Sequence, residues 1–447
     1  MLTNYIKLAW RVLSRNKFFT FITLFGISFT LGILMYILSF LQSELGTNEP
    51  LTHKDKMVVL NQLTLRQVIR DTVYTMDTTM MNGVTVIDST MKVEDRGSRI
   101  SNTSMNNGIG EDFLSKLPSA ETSTVFNFGA LHDVYVNGVK TTISTLYGDA
   151  KYWDVFDHKM IEGRAYDQQE FEAAAKVICI SDKTARSYFG TDENIIGREI
   201  LIDGKNLKVL GMYKYLGKFV PYVCTDVVIP YSILDETIQD SYYHGFYSVV
   251  FKLKPNVSAD NLKNEILDAA TIIPLDHPSM PEGFNEIVFD PLTYNEMFAN
   301  AIYPDRQDKT KGLRVMRWVM IMLLLFFILL PTLNLINLNV SRIMERSSEI
   351  GVRKAFGAHQ GNILMQFVIE NILQTFLGGI LGLGLALLLI NIVNSGGYLG
   401  DAVLILSPKF FIYSFLATLL FGVLSGLLPA YKMSKLQIVH ALKENKL

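Results

Sequence analysis

Apolar positions along the 447 residues follow two patterns. Four uncharged stretches, Phe18 to Leu41, Trp318 to Ser341, Asn371 to Val393 and Phe410 to Tyr431, are long enough for a helix to cross about 30 Å of hydrocarbon. A buried helix of a soluble protein is normally shorter or carries a polar stripe. The third stretch is the least clean, because Glu370 and Gln374 stand at its start. Between the first two stretches the pattern shortens to strand-like alternation broken by turn residues. The chain therefore reads as an α-helical membrane protein with four transmembrane helices, and a large extracytoplasmic α+β domain of two lobes is inserted between the first and second.

Residues 1–17 precede the first span. Leu2, Ile6, Ala9 and Leu13 share one helical face while Lys7, Arg11 and Arg15 line another, which predicts a cytosolic amphipathic helix. Residues 42–317 form the outer domain. Its first part, to about Gly110, is rich in Thr, Asn and Met with weak periodicity, and only strands and loops are expected there. Next, Asn137-Gly138 and Asp203-Gly204 each separate two short β-branched runs, the signature of hairpins. Ser181 is placed to cap a helix that stops before Gly190. Val249, Phe251 and Leu253 alternate with Lys252 and Lys254, Ser258 begins an amphipathic run, and Glu286 to Phe289 reads as a further strand, together a β-α-β unit. One lobe is expected from residues 42–110 with 229–317, the other from 111–228.

Composition agrees with the spans: 49 % of residues are hydrophobic and mean hydropathy is +0.23. The distribution of charge sets orientation. Lys7, Arg11, Arg15 and Lys17 precede the first span; Arg342, Arg346, Arg353 and Lys354 follow the second; Lys432, Lys435, Lys443 and Lys446 follow the fourth. By the positive-inside rule both termini and residues 342–370 are cytosolic, and 394–409 is a short outer loop. Lys309, Lys311, Arg314 and Arg317 disagree, but long translocated domains obey the rule poorly. The first span lacks a small-residue cleavage site after Ser39 and reads as an uncleaved signal anchor.

A net charge of −2 gives no reason to expect nucleic acid. Cys179 and Cys224 both fall in the outer domain, where a disulfide is permitted and buried free thiols are the alternative. No phosphate loop, H-E-x-x-H, G-x-S-x-G or Cys-x-x-Cys occurs, and the seven histidines are scattered, so no catalytic residue and no metal site is predicted. The spans hold few ionisable groups of the kind that ion pathways need. They do hold small residues at close-packing spacing, Gly378 with Gly382 and Gly422 with Gly426, and Pro331 lies where a missing backbone hydrogen bond permits a bend.

The most informative stretch is cytosolic. From Glu349 through Ile350, Gly351, Val352, Arg353, Lys354, Ala355 and Phe356 to Gly357, charged and apolar residues alternate in a segment too short to fold alone, so its apolar members need a partner surface. This segment, followed by Gln366-Phe367-Val368-Ile369-Glu370, resembles the loop of MacB/FtsX-type ABC transporter permeases. Tyr152-Trp153-Asp154-Val155-Phe156, Glu162-Gly163-Arg164, Ile180-Ser181-Asp182 and Ile196-Gly197-Arg198 resemble the family's periplasmic core, and Leu428-Pro429-Ala430-Tyr431-Lys432 resembles its closing segment. Ile438 departs from the proline of many members.

The resemblance implies a non-catalytic permease subunit in a bacterial cytoplasmic (inner) membrane. It would bind no cofactor itself and would work with a separate ABC ATPase subunit that holds ATP and Mg. A second permease chain, identical or a paralogue, completes the usual assembly, and efflux members add a periplasmic membrane-fusion protein and an outer-membrane channel. Residues 349–357 would be the coupling helix through which the ATPase moves the outer domain, called mechanotransmission. Within the family the same layout also serves lipoprotein or peptide handling, cell-wall hydrolase control and antimicrobial-peptide resistance. Family placement sets Glu370 near the cytosolic face, hydrated or facing a loop arginine.

Overall fold

The computed structural model describes residues 2–15, 17–45, 51–81, 84–136, 139–215, 225–234, 243, 245–278, 280–305, 308–345, 352, 356 and 360–396, and, beyond those, 404–406, 408, 409, 411–416, 419, 420 and 423. It divides into two units, residues 1–46 with 314–447, and residues 47–313.

The first unit begins with α1 (Leu2–Arg15) and α2 (Lys17–Leu45). The second unit follows as β1 (Met57–Leu60), β2 (Leu63–Met81), β3 (Val84–Thr103), α3 (Asn107–Ile109), β4 (Ala120–Val136) and β5 (Val139–Gly148). Then come α4 (Tyr152–Val155), β6 (Met160–Gly163), α5 (Gln168–Glu172), β7 (Val177–Ser181), α6 (Asp182–Phe189), β8 (Glu199–Ile202), β9 (Lys205–Tyr213) and β10 (Val227–Pro230). It closes with β11 (Tyr247–Leu253), α7 (Ala259–Ile272), β12 (Glu286–Phe289), β13 (Leu292–Thr293) and α8 (Tyr294–Ile302). Two long helices, α9 (Lys311–Glu345) and α10 (Gln360–Gly396), follow.

Local chemistry explains where these elements start and stop. Asp203 and Gly204 take φ of 49° and 72°, the left-handed backbone a two-residue hairpin turn requires, so Ile202 pairs with Lys205. β4 and β5 pair up to Val136 opposite Val139, on either side of Asn137-Gly138. The Ser181 hydroxyl accepts from the Thr184 N–H at 3.1 Å and starts α6, and Gly190, at φ 72°, ends it. Ser258 does the same for α7 through the Asn261 N–H.

Ten strands form one sheet in the order β13-β1-β11-β4-β5-β10-β7-β9-β6, with β8 also paired to β9. Its interior strands are apolar on both faces because both faces are covered. In β1, Val58 and Leu60 join one core with Leu262, Ile266 and Phe289, while Met57 and Val59 join another with Phe126, Tyr152 and Tyr294. A third core gathers Ile143, Ile178, Ile180, Ala185 and Val209. The sheet is continuous across the boundary expected at residues 111 and 228, since β4 pairs with β11 from Asn127 opposite Tyr247 to Ala120 opposite Leu253.

One expectation changes, and another gains detail. The strands on either side of α7 do not share a sheet, so the β-α-β unit is not formed: β12 pairs with β2 in a separate three-stranded sheet, β12-β2-β3. The helix buries Leu262 and Ile266 in the core that Phe289 of β12 also enters, so α7 returns the chain to a second layer rather than to the parent sheet. The stretch before Gly110, where only strands and loops were expected, contains a hairpin of 19 and 20 residues, β2 and β3. Its strands are rich in Thr, Ser and Asp, which blurs apolar alternation. The connecting Asn82-Gly83 dipeptide was the available signal.

Candidate functional site

Between α9 and α10 the structure describes Val352 and Phe356. The Phe356 N–H donates to the Val352 carbonyl at 3.1 Å, one turn of helix, which sets the two residues on the same side. Val352 is 47 % exposed and Phe356 87 %. A phenyl ring so exposed beside a valine is apolar surface that water covers poorly, and a docking partner would remove it from water. The other predicted coupling residues, Glu349, Ile350, Gly351, Arg353, Lys354, Ala355 and Gly357, lie outside the described residues.

Two helices in the same unit, over Lys17–Leu41 and Met365–Gly396, are long and apolar enough to cross a membrane. They pack through glycine. A Cβ on Gly378 would stand 2.6 Å from Ile27 Cγ2, and one on Gly382 would stand 3.0 Å from both Leu31 Cβ and the Ser28 carbonyl oxygen. Ala386, four residues further, is buried with Ile27, Leu31 and Met35. Small residues every fourth position thus let α2 and α10 approach more closely than larger ones would permit. Pro331 lies within α9, whose helix continues to Glu345. Gly422 and Gly426 lie outside the described residues, as does most of the expected fourth span.

Continuing the same four-residue spacing backwards from Gly378 gives Gln374, Glu370 and Gln366. All three are buried. Gln374 is 0 % exposed, and neither its amide nitrogen nor its amide oxygen has a hydrogen-bond partner among the described residues. The helix that carries them starts at Gln360, ahead of the expected start of the third span at Asn371, so Glu370 and Gln374 both lie within one continuous helix. Apolar counting ended the span at the carboxylate. The spacing by four was the signal that these polar side chains share a packed face.

The second unit concentrates its perturbed titratable groups around α4. Asp149 accepts from the Thr124 hydroxyl at 2.6 Å, the Val125 N–H at 2.9 Å and the Tyr152 N–H at 3.0 Å, tying β4 to the start of α4. Burial raises its carboxyl to about 6, against the pull of those donors. His158 stacks on Tyr152, with Nε2 3.1 Å from the tyrosine hydroxyl, and burial depresses its imidazole to about 3. Cys179 is a free, buried thiol whose sulfur lies 3.7 Å from the Arg164 carbonyl, and burial pushes it up to about 12; Cys224 lies outside the described residues. Among the described residues no three His, Cys, Asp or Glu side chains converge as metal ligands would. These groups hold β4, α4 and β7 in place.

Comparison with known proteins places both halves. Residues 20–269 match the family described as MacB-like periplasmic core domain, and residues 321–438 match the FtsX-like permease C-terminal family. The chain belongs to the MacB/FtsX-type ABC transporter permeases. A permease relative in Bacillus subtilis (strain 168), the uncharacterized ABC transporter permease YknZ, is 25 % identical over 300 residues, covering 65 % of this chain and 68 % of its own length. The macrolide export ATP-binding/permease protein MacB of Psychrobacter cryohalolentis is 28 % identical over 298 residues, 66 % of this chain but 41 % of that protein, so this permease chain spans less than half of it. The crystal structure of the periplasmic region of MacB from Actinobacillus actinomycetemcomitans aligns with a TM-score of 0.34 at 15 % identity, over 45 % of this chain and 85 % of that one.

Proposed function

We propose that this permease is the membrane subunit of an ABC transporter in which a separate ATPase subunit, holding ATP and Mg, drives movement of the outer domain. The observation that carries the reading is the exposed Val352–Phe356 turn in the segment joining the two long helices α9 and α10. It offers an aromatic anchor of the kind that dominates protein interfaces, beside Glu349, Arg353 and Lys354 for charge-assisted contacts. The 447 residues contain no phosphate-loop motif, which supports an ATPase outside them.

The chain crosses the membrane four times, at residues 18–41, 318–341, 371–393 and 410–431, with both termini in the cytosol and the chain paired with a second permease chain. Closure of the ATPases on nucleotide shifts residues 349–357, and α2 and α9, which border the outer domain in sequence, carry the movement outward. Glycine-packed helices with few ionisable groups suit transmission of force better than a wide aqueous path. Export is the favoured process, in keeping with the relatives named for macrolide export.

Copurification from native membranes tests the reading. The intact chain retains an ABC ATPase, whereas Phe356→Ala combined with Gly351→Trp loses it while still inserting in the membrane. Undiminished ATPase recovery and transport phenotype in that double variant would sink the assignment.

A further inference from the structure

The first 43 residues hold four cations, Lys7, Arg11, Arg15 and Lys17, and no acid. All four are exposed. On α1, Lys7, Arg11 and Arg15 occupy the side away from Ala9 and Leu13, the pair that is buried where α1 lies against α10. Trp10 stands between the two sides and is 58 % exposed. The Thr20 hydroxyl donates to the Leu13 carbonyl at 2.9 Å, which ties the end of α1 to the start of α2. The cations are therefore gathered at a fixed joint rather than spread along a loose tail.

An exposed aromatic face of α2 begins beside them. Phe18, Phe21, Phe25 and Phe29 recur at three- and four-residue spacing and are 48–71 % exposed. The rings of Phe21 and Phe25 stack with 6.2 Å between centroids and 23° between planes, and those of Phe25 and Phe29 with 5.7 Å and 17°. Near-parallel rings in a row make a continuous apolar strip. From Phe18 to Phe29 the helix rises about 17 Å, close to half of the roughly 30 Å hydrocarbon thickness of a bilayer. The strip thus has the length of an acyl chain in one leaflet, and it starts at a cluster of positive charge.

We propose that the joint of α1 and α2 binds an anionic phospholipid of the cytosolic leaflet, its headgroup among Lys7, Arg11, Arg15 and Lys17, Trp10 at the interface and an acyl chain along Phe18 to Phe29. The inference rests on the cytosolic N-terminus proposed for this permease. Charge selects the occupant. A second copy turned about an axis along the membrane normal and packed through the same strip sets four cations against four, with no acid before Glu44 to offset them. A water-soluble partner reaches the cations but not a strip inside the hydrocarbon. A zwitterionic lipid fits the strip and leaves the cations without a counter-charge. An anionic lipid answers both halves, and an indole is the side chain that settles at the headgroup level between them.

The test reconstitutes the full chain in nanodiscs of dioleoyl phosphatidylglycerol and dioleoyl phosphatidylcholine in equal amounts, and native mass spectrometry counts the lipids that stay bound on transfer to detergent. Phosphatidylglycerol should be retained at least about tenfold over phosphatidylcholine. Arg11→Gln and Lys17→Gln should each lower that preference about fivefold, while Arg11→Lys keeps it. Phe21→Ala with Phe25→Ala should lower retention of both lipids about fivefold and leave the preference. Lys432→Gln with Lys435→Gln, which removes as much charge from the far end of the chain, should change neither. The permease chain is assayed alone, so the result stands or falls apart from the ATPase. Equal retention of the two lipids, a preference indifferent to Arg11→Gln and Lys17→Gln, an equal loss from the Lys432 and Lys435 variant, or a disulfide between copies that appears only with Phe25→Cys each overturn the proposal. A reporter at the N-terminus that is active only in the cytosol reads the topology separately, and its silence overturns the topology and the leaflet together.

Discussion

Asp149, half-buried in the outer unit, and Gln374, fully buried in α10, are both polar side chains in packed elements, and their surroundings differ in kind. Asp149 receives donors from Thr124, Val125 and Tyr152. Asp226 and Glu265 are treated likewise, the first by the N–H and hydroxyl of Ser144 at 2.9 Å each, the second by those of Ser119 at 2.9 and 2.5 Å. Around Gln374 the same helix face carries buried Glu370 one turn before it and Gly378 one turn after, and the Gln374 amide has no partner among the described residues. The outer unit folds from water, where a buried polar group forfeits hydration and is costly unless matched; these three carboxylates are matched, although Trp153, Ser232 and Asn295 each keep a buried polar atom without a hydrogen-bond partner among the described residues. The helix pair gains little from leaving lipid, so its contact rests on close approach of small residues. The contrast predicts that polar substitutions damage the outer unit most and volume changes the helix pair.

The largest effect expected is a hidden opposition in the pH dependence of the outer unit. His158, depressed to about 3 from 6.5, contributes stability that is complete above pH 6.5 and drains away as pH falls toward 3, because the unfolded chain takes up the proton first. Asp149, raised to about 6 from 3.8, works the other way: the folded chain holds the proton longer, so stability is gained as pH falls from 6 to 4. Between pH 6 and 4 each shifts stability by on the order of 3 kcal/mol in opposite directions, so the two largely cancel there. His158→Gln should therefore become more stable with acid over that window and Asp149→Asn less, relative to the parent. Thermal unfolding of the detergent-solubilised chain from pH 7 to pH 4, followed at Trp153, reads both tilts, and parallel profiles for all three proteins would contradict the assignment.

Next in size, Asp149→Ala removes the acceptor of the Val125 N–H and the Thr124 hydroxyl and leaves the Tyr152 N–H only its 3.3 Å bond to the residue-149 carbonyl, and should cost about 3 kcal/mol at pH 7. Hydrogen exchange along β4 and β5 would accelerate together, and an effect confined to residues 149–152 would show that the carboxylate ties only its own turn.

How far this contrast could be read from the chain depends on the kind of signal. Ser181, Gly190 and Asp203-Gly204 act locally, and the helix and hairpin they mark stand where the residues put them. The pairing of β12 with β2 rather than with β11 was not legible, because strand order depends on which faces remain to be covered after α7 has packed. The long β2–β3 hairpin was obscured by threonine and aspartate in place of apolar alternation, although Asn82-Gly83 marked its tip. In the candidate site, Gly378 and Gly382 stood out by spacing, whereas Glu370 and Gln374 read only as an unclean start to the third span because hydropathy counts polarity without regard to face. What met Asp149 could not be read at all, since Thr124 and Asp149 are brought together only by the sheet.

Gly378→Leu tests the helix side of the comparison. The added side chain would begin 2.6 Å from Ile27 Cγ2 and 2.8 Å from Ile27 Cβ, atoms close to the backbone of a β-branched residue with little freedom to move. The helices must part, at a cost of about 2 kcal/mol. Gly384→Leu is the matched control, since nothing lies within 4 Å of a Cβ built there. Cysteine crosslinking between α2 and α10 should fall for the first and hold for the second.

The smallest effect runs in the opposite direction and is the sharpest test of the contrast. Gln374→Leu keeps the volume of the side chain nearly constant and removes an amide that has no partner among the described residues. An unmatched buried amide costs roughly 1 kcal/mol or more, while a leucine of similar volume gains packing in either lipid or a helix interface. The variant should therefore melt a few degrees higher in detergent. The analogous change in the outer unit, Asp149→Leu, should lower the melting temperature, because there the donors are left behind. A Gln374→Leu variant that melts lower instead would mean that the amide is matched in the membrane by a group from another chain, lipid or water, and the distinction drawn between the two regions would then concern where their polar partners come from rather than whether they have them.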